Sequence, residues 1–276
     1  MPVPGEDRLV TLRAAAVLAM AILPTGCMRA YNYGPSEPRY AGSFADTAAR
    51  GATPERIRIV SFNIAFSRQI DSAIVVLREP ALRDADVLLL QEMDAPGTER
   101  IARALHMNYV YYPATRHPKN GNDFGNAVLT RWPITADRKI LLPYLAVLGA
   151  TRRTATAVTI QLGSLPVRVY SAHLGTVVNV SPRQRREQLA AILDDAAPFD
   201  RVIVGGDMND PVVGSLAVER GYSWSTRTGP RTAMVSRLDH IFLRGLAPAR
   251  IAGAGTITDN HHASDHFPIW LLADVY

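Results

Sequence analysis

The stretch Val202-Ile203-Val204-Gly205-Gly206-Asp207-Met208-Asn209-Asp210 places an acid and an amide two residues apart just after a β-branched apolar run. Extended residues two apart point to the same side, so Asp207 and Asn209 can hold a water and a charged oxygen together. The apolar run reads as a buried strand that the two glycines end. Alone, an Asp-x-Asn-Asp run is equally a turn, because these side chains bond their own backbone. Other polar residues tip that balance. Asn63, Glu92, His173, Asp239, His240, Asp265 and His266 also fall at or beside the ends of apolar, β-rich runs. Strand ends that deliver acids, amides and histidines to one edge are what a binding cleft requires. No nucleophilic-serine motif, Walker loop, Cys-x-x-Cys pair or dinucleotide glycine fingerprint competes for the chemistry.

The elements that must position these groups follow from periodicity. Ile57–Asn63 alternates and predicts a strand. Ile70, Ile74 and Leu77 have helical spacing, which Pro80 closes. Val87–Glu92 is an apolar strand ending in an acid, and Glu99–Leu105 reads as a short helix. Tyr109–Tyr112, Ala127–Thr130, Ala155–Gln161 and Val167–Ala172 read as strands. Pro182–Leu193 is a helix with Pro in its first turn and Leu189, Ile192 and Leu193 on its apolar face. Val202–Val204, Leu238–Leu243 and Phe267–Ala273 complete the strands. The apolar stretch Leu141–Leu148 reads as a buried strand, with contact to a membrane as the alternative. Helices alternating with strands, then strand-rich stretches, indicate an α/β domain of two sheets with helices outside.

The formal net charge of +5 favours anionic partners such as phosphates, nucleic acid or an acidic membrane face, without choosing among them. A single cysteine, Cys27, excludes an intramolecular disulfide. Arg8 and Arg13 precede the apolar run Ala14–Leu23, too short to span a bilayer and suited to an export signal. Leu23-Pro24-Thr25-Gly26-Cys27 resembles a bacterial lipoprotein signal, departing from it in the acids Glu6 and Asp7 and in Pro24, which stands where an aliphatic residue is usual. The resemblance implies a signal over 1–27, a lipidated Cys27, and a membrane-anchored protein facing the periplasm or cell exterior. A soluble secreted protein is the alternative. Residues 28–55 lack any sustained period and read as a flexible tether, leaving 56–276 as the folded domain, taken to be monomeric.

The ordered set Ser61-Phe62-Asn63, Leu90-Gln91-Glu92, Gly125-Asn126-Ala127, Ser171-Ala172-His173, Gly206-Asp207-Met208-Asn209, Leu238-Asp239-His240 and Ser264-Asp265-His266 resembles the endonuclease/exonuclease/phosphatase superfamily, over essentially all of 56–276. That resemblance implies a four-layer sandwich: two mixed sheets face to face, with helices on both outer sides. It also implies a Mg²⁺-dependent phosphoester hydrolase, with Mn²⁺ as an alternative ion. Glu92 would bind the metal beside Asn63, acting through its carbonyl oxygen, and Asp265 would contact it directly or through water. His266, oriented by Asp239, would bond the scissile phosphate and accept a proton from water. Asp207 would orient that water or handle the leaving group. Asn209 would donate to the phosphate, and His173 would bind phosphate or protonate the leaving oxygen. Asn126 would be a substrate-side or a structural amide, and Arg153, preceding a strand, would reach phosphate on the substrate side. Nucleic acid is the first substrate expected and a phospholipid or sphingomyelin headgroup the second. A non-catalytic phosphate-binding protein, the reading from another class, would lack counterparts of Glu92, Asp207 or His266, and all three are present. His240, His261 and His262 receive no role.

Overall fold

Along Arg56–Asn63, Ile57 and Ile59 enter one core and Val60 and Phe62 another. Ser61 and Asn63 therefore share the face of Ile57, because side chains in a strand alternate. The same rule runs through a computed structural model that describes residues 30–46, 51–118, 121–234, 236–250 and 253–275.

In chain order the strands are β1 (Tyr31–Asn32), β2 (Tyr40–Gly42), β3 (Arg56–Asn63), β4 (Val87–Met93), β5 (Asn108–Arg116), β6 (Asp123–Thr130), β7 (Ile134–Leu145), β8 (Arg152–Leu162), β9 (Leu165–His173), β10 (Val202–Asp207), β11 (Asp239–Arg244), β12 (Ala247–Pro248), β13 (Ala254–Thr256) and β14 (Ile269–Asp274). The helices are α1 (Ile70–Leu77), α2 (Ala95–Ala104), α3 (Pro182–Ala196) and α4 (Ser215–Glu219). One sheet runs β1-β5-β6-β4-β3-β14-β12, with β2 on β5 and β13 on β14; the other runs β11-β10-β9-β8-β7. β3 with β4, and β9 with β10, are parallel pairs in otherwise antiparallel surroundings. Ile59, Leu89, Val128, Val158, Val169 and Ile203 fill the space between the sheets. α1 and α2 cover the outside of the first sheet, and α3 and α4 the outside of the second. The expected four-layer sandwich is the fold adopted.

Three local expectations need correction. β10 does not stop at Val204 but continues through both glycines to Asp207. Gly206 has φ +142°, and a Cβ there would lie 1.9 Å from the Ala172 carbonyl oxygen; one on Gly205 would lie 2.6 Å from Leu89 Cδ1. The glycines thus let β10 approach its neighbours closely while the ladder holds, as an interior strand glycine does. α2 starts at Ala95 rather than Glu99, because the Asp94 carboxylate caps it by accepting from Gly97 N–H at 2.8 Å. The apolar stretch from Leu141 divides: Leu142 is buried in β7, whereas Val147 and Leu148 stand exposed at the tip beyond it.

The expected tether is also corrected where it is described. Tyr31–Asn32 pairs with Thr115–Arg116, and Tyr40–Gly42 with Tyr109–Tyr111. Lys139 donates to the Gly34 and Glu37 carbonyls, and Arg39 forms a two-pronged pair with Asp137 at 2.7 Å. Edge pairing uses backbone groups, which leave no period in the sequence. The expected signal and Cys27 lie outside the described residues.

Gly206→Ala should destabilise the domain by about 2–4 kcal/mol, because a Cβ must displace the β9 backbone. A reduced denaturation midpoint in urea at unchanged slope is the expected readout.

Candidate active site

The register of the second sheet puts Asp207 opposite His173 on β9 and opposite Asp239 on β11. Alternation from Ile203, Val169 and Ile241 turns this rung toward the first sheet. There Asn63 meets it, donating from Nδ2 to Asp207 Oδ2 at 3.1 Å and to Glu92 Oε1 at 3.3 Å. Two neighbouring contacts tie the sheets at the same end. Gln91 donates to Ser171 Oγ at 3.0 Å, and Asn126 donates to the Thr154 carbonyl at 2.6 Å.

Glu92 reaches the cleft by breaking a rule. Leu88 and Leu90 face the helices, and strict alternation would send Glu92 after them. The β4–β6 register shifts between Leu90 and Met93, and Glu92 takes φ +58°. This bulge turns the carboxylate toward the site and returns Met93 to the outer core. Asn209, at φ +49°, is a second positive-φ residue here. Its N–H donates to Asp207 Oδ1 at 2.9 Å. Such conformations gather where a site requires them.

The two site histidines are held in opposite states. Arg153 donates to His173 Nδ1 at 2.9 Å; a guanidinium only donates, so Nδ1 accepts and the ring proton sits on Nε2. That nitrogen lies 3.3 Å from Asp207 Oδ2. Burial, with Arg153 beside it, holds His173 well below the ordinary imidazole range, so it is neutral. His266 Nδ1 lies 2.9 Å from Asp239 Oδ2, and Nε2 lies 3.7 Å from Asp207 Oδ2. Burial works to lower its pKa, but Asp239, Asp207 and Asp265 outweigh it and push the ring up to about 10. His266 is therefore an imidazolium at neutral pH. Asp207 is raised, first by burial and then by Asp239 and Glu92, against His266 and the Asn209 N–H. Arg153 is lowered by burial, while Glu92 and Asp207 support its charge.

Loops complete the site. Ser264 Oγ donates to the Asn63 carbonyl at 2.7 Å and accepts from His266 N–H at 3.0 Å. Thr232 Oγ1 accepts from Asp239 N–H at 3.0 Å. The Phe124 ring lies under the Arg153 guanidinium at 5.2 Å and beside His173. These three residues were missed. Ser264 was legible in the Ser-Asp-His run, whereas Thr232 and Phe124 carry no motif of their own.

Placement of the expected site residues is uneven. Asn63, Glu92, Arg153, His173, Asp207, Asp239 and His266 converge. Asn209 also lies there, with one amide hydrogen already given to the Leu174 carbonyl at 3.1 Å. Asp265 stands exposed at the rim. Asn126 is buried between the sheets: its side-chain amide donates to the Thr154 carbonyl and its backbone carbonyl accepts from Thr156 Oγ1, which fits the structural one of its two expected roles, while its Oδ1 has no partner among the described residues. Asn63 shows its amide nitrogen to the acids, while Oδ1 accepts from Ala65 N–H at 3.0 Å. His240 is a core histidine that accepts from Trp224 Nε1 and pairs with the Asp210 carbonyl; burial pushes it down to about 4. Asp210 bonds the Val212 and Val213 N–H groups and pairs with Arg185. His261 meets Glu79 on the surface.

The charges do not balance. Glu92, Asp207, Asp239 and Asp265 face Arg153 and His266 as cations. Burial pushes Glu92 above the ordinary carboxylate range, Asp265 adds to the shift, and Arg153, Asn63 and His266 only partly offset it. Atoms of Asp207, Asp239 and His266 also lie within 4.8 Å of one another. An oxygen-rich cluster short of positive charge suits a hard divalent cation.

A model of the Endonuclease/Exonuclease/phosphatase family matches residues 60–266. Among solved structures, an endonuclease/exonuclease/phosphatase from Beutenbergia cavernae superposes with a TM-score of 0.65 at 20% identity, covering 80% of this chain and 72% of that one. D. rerio TDP2 complexed with single strand DNA product gives 0.60 at 19%, over 80% of this chain and 100% of that one. A mannosyl-6-phosphatase from Bacteroides thetaiotaomicron gives 0.61 at 17%, over 79% and 99%. Curated proteins include no match to the sequence.

In the metal-free protein, NMR titration should find His266 protonated up to about pH 10 and His173 neutral well below 6.5. His266 is raised in the folded state, so the stability it contributes is fully present below pH 6.5 and is lost as pH rises toward about 10. Asp239→Asn should bring the His266 midpoint down, because it removes the strongest of the raising charges.

Proposed function

The chain belongs to the endonuclease/exonuclease/phosphatase family, and on that premise we propose that it is a divalent-metal-dependent hydrolase of phosphodiesters. One observation carries the reading. The Asp207 rung, flanked by neutral His173 and an imidazolium on Asp239, faces Glu92 and Asn63 across one cleft. That places acids for a cation beside donors for a phosphate.

Glu92 and Asp265 are the residues that would hold the ion, joined by Asn63 Oδ1 once that amide turns away from the Ala65 N–H; when bound the ion would supply positive charge to phosphate oxygens and acidify water, as Mg²⁺ does. Arg153 presents N–H donors to the remaining phosphate oxygens, where negative charge grows in the transition state. Asp207, raised toward neutrality, accepts the proton of the attacking water. His266, raised much further, has a proton to give to the leaving oxygen. Two groups whose surroundings separate their proton affinities divide base and acid work in this way. This assignment differs from the sequence expectation, in which His266 took the proton from water. His173 turns its Nε2–H side toward Asp207 Oδ2 at 3.3 Å, while Arg153 fixes the His173 tautomer. Asn209 holds Asp207 from the other side through its backbone. The same reading keeps Cys27 as the lipid-bearing residue and the enzyme outside the cytoplasmic membrane.

The net charge of +5 supports a polyanion such as nucleic acid. A phosphodiester in a lipid surface is the second reading, and exposed aliphatic residues around the cleft favour it.

Hydrolysis of bis(p-nitrophenyl) phosphate should require added Mg²⁺ or Mn²⁺ and stop with EDTA. Glu92→Gln and His266→Ala should each lower kcat/KM about 100-fold or more. Unchanged metal-dependent turnover in Glu92→Gln would refute the metal assignment.

A further inference from the structure

The loops at the cleft end carry more exposed aliphatic surface than catalysis needs. Val147 is 80% exposed and Leu148 68%, on the turn between β7 and β8; Val177 is 66% and Val178 71%, on the turn after β9. Single exposed aliphatic residues need no explanation, whereas a cluster on neighbouring loops marks a contact surface. Asn179 clamps the two tips together. Its carbonyl accepts from Val147 N–H at 3.3 Å, its Oδ1 accepts from Leu148 N–H at 3.2 Å, and its Nδ2 donates to Thr176 Oγ1 at 2.8 Å. Both tips lead into the site: Leu148 precedes Arg153 by five residues, and Val177 follows His173 by four.

The start of the described chain is fastened to the same tip. Ala30 N–H donates to the Gly149 carbonyl at 2.9 Å, Asn32 Nδ2 donates to the Ala150 carbonyl at 2.8 Å, and Arg152 N–H donates to Asn32 Oδ1 at 2.7 Å. Cys27 is three residues before Ala30. Three residues reach at most about 11 Å, so a lipid carried on Cys27 would leave the domain beside Val147 and Leu148. Exposed Arg68, Arg116 and Arg231 lie on other segments at this end and complement anionic headgroups.

We propose that the cleft end of the sandwich docks on a lipid bilayer through the 144–149 and 176–178 tips, so that the phosphoester hydrolysed is one presented at the bilayer surface. The substrate part rests on the phosphodiesterase reading above. The apolar tips enter the headgroup boundary, the arginines hold anionic headgroups, and a chain on Cys27 would add the second attachment that stable anchoring requires. The short span between Cys27 and Gly149 then fixes which face meets the membrane.

The test uses the full chain with vesicles of phosphatidylcholine and phosphatidylglycerol carrying brominated acyl chains. Tryptophan is introduced in turn as Leu148→Trp, Val177→Trp and Val75→Trp, the last on exposed α1. Whatever brings the protein to the vesicle, the probes report which face meets lipid. Strong quenching at 148 and 177 with little at 75 is expected; quenching at 148 and 177 no greater than at 75 overturns the proposal. In the second arm, Leu148→Asp with Val177→Asp should cut phospholipid turnover on vesicles at least about tenfold and leave turnover of soluble bis(p-nitrophenyl) phosphate within about twofold. Faster turnover of duplex DNA than of vesicle phospholipid, untouched by the aspartates, also overturns it. If the unaltered chain leaves the soluble ester intact with Mg²⁺, the phosphodiesterase reading fails and quenching alone decides the docking.

Discussion

A carboxylate placed in a space with almost no water must be surrounded by donors and cations or give up its charge. Asp207 is that carboxylate, and the site is arranged around it. The Asn209 N–H holds one oxygen. Asn63 donates to the other, and His173 and His266 both turn a nitrogen toward it. Each partner is itself held. Arg153 fixes the His173 tautomer, Asp239 fixes His266, and Ser264 joins the His266 backbone to the end of β3. A cluster that must keep one acid in place thereby also sets the acid–base states on which hydrolysis would draw.

The sandwich has two kinds of cement. Over most of its depth the sheets are joined by branched aliphatic side chains, which attract without direction. At the cleft end the joints are directional: Asn63 to Asp207, Gln91 to Ser171, and Asn126 to Thr154. Apolar packing brings the sheets together, and the polar seam sets how they meet to within hydrogen-bond tolerance. Gly205 and Gly206 serve the same end from the backbone, since a Cβ on either would hold β10 away from its neighbours.

Much of this was legible before the fold was known, because alternation carries a residue's face with it. Once Ile57 and Ile203 are assigned inward, Asn63 and Asp207 must be inward too. Glu92 shows the limit. Its place at a strand end was readable, but alternation alone would point it at the helices, and only the bulge at φ +58° brings it to the cleft. Asn126 shows another limit: its motif was visible, but the sequence left open whether its amide meets substrate or joins the sheets, and only the fold puts its Nδ2 on Thr154. The segment 30–46 was hidden altogether, since edge strands pair through backbone groups that every residue type carries.

By itself the sequence determined which residue types stand at strand ends, which faces they share, and the family whose ordered motifs they match. Those are local properties, set by a two-residue period and by side-chain chemistry. The tertiary structure alone decided that Asp207 sits between His173 and Asp239, that His173 is neutral and His266 charged, and that Ala30 lies against the tip bearing Val147 and Leu148. Register, desolvation and the meeting of distant loops depend on which strands become neighbours, and no stretch of sequence read alone contains that.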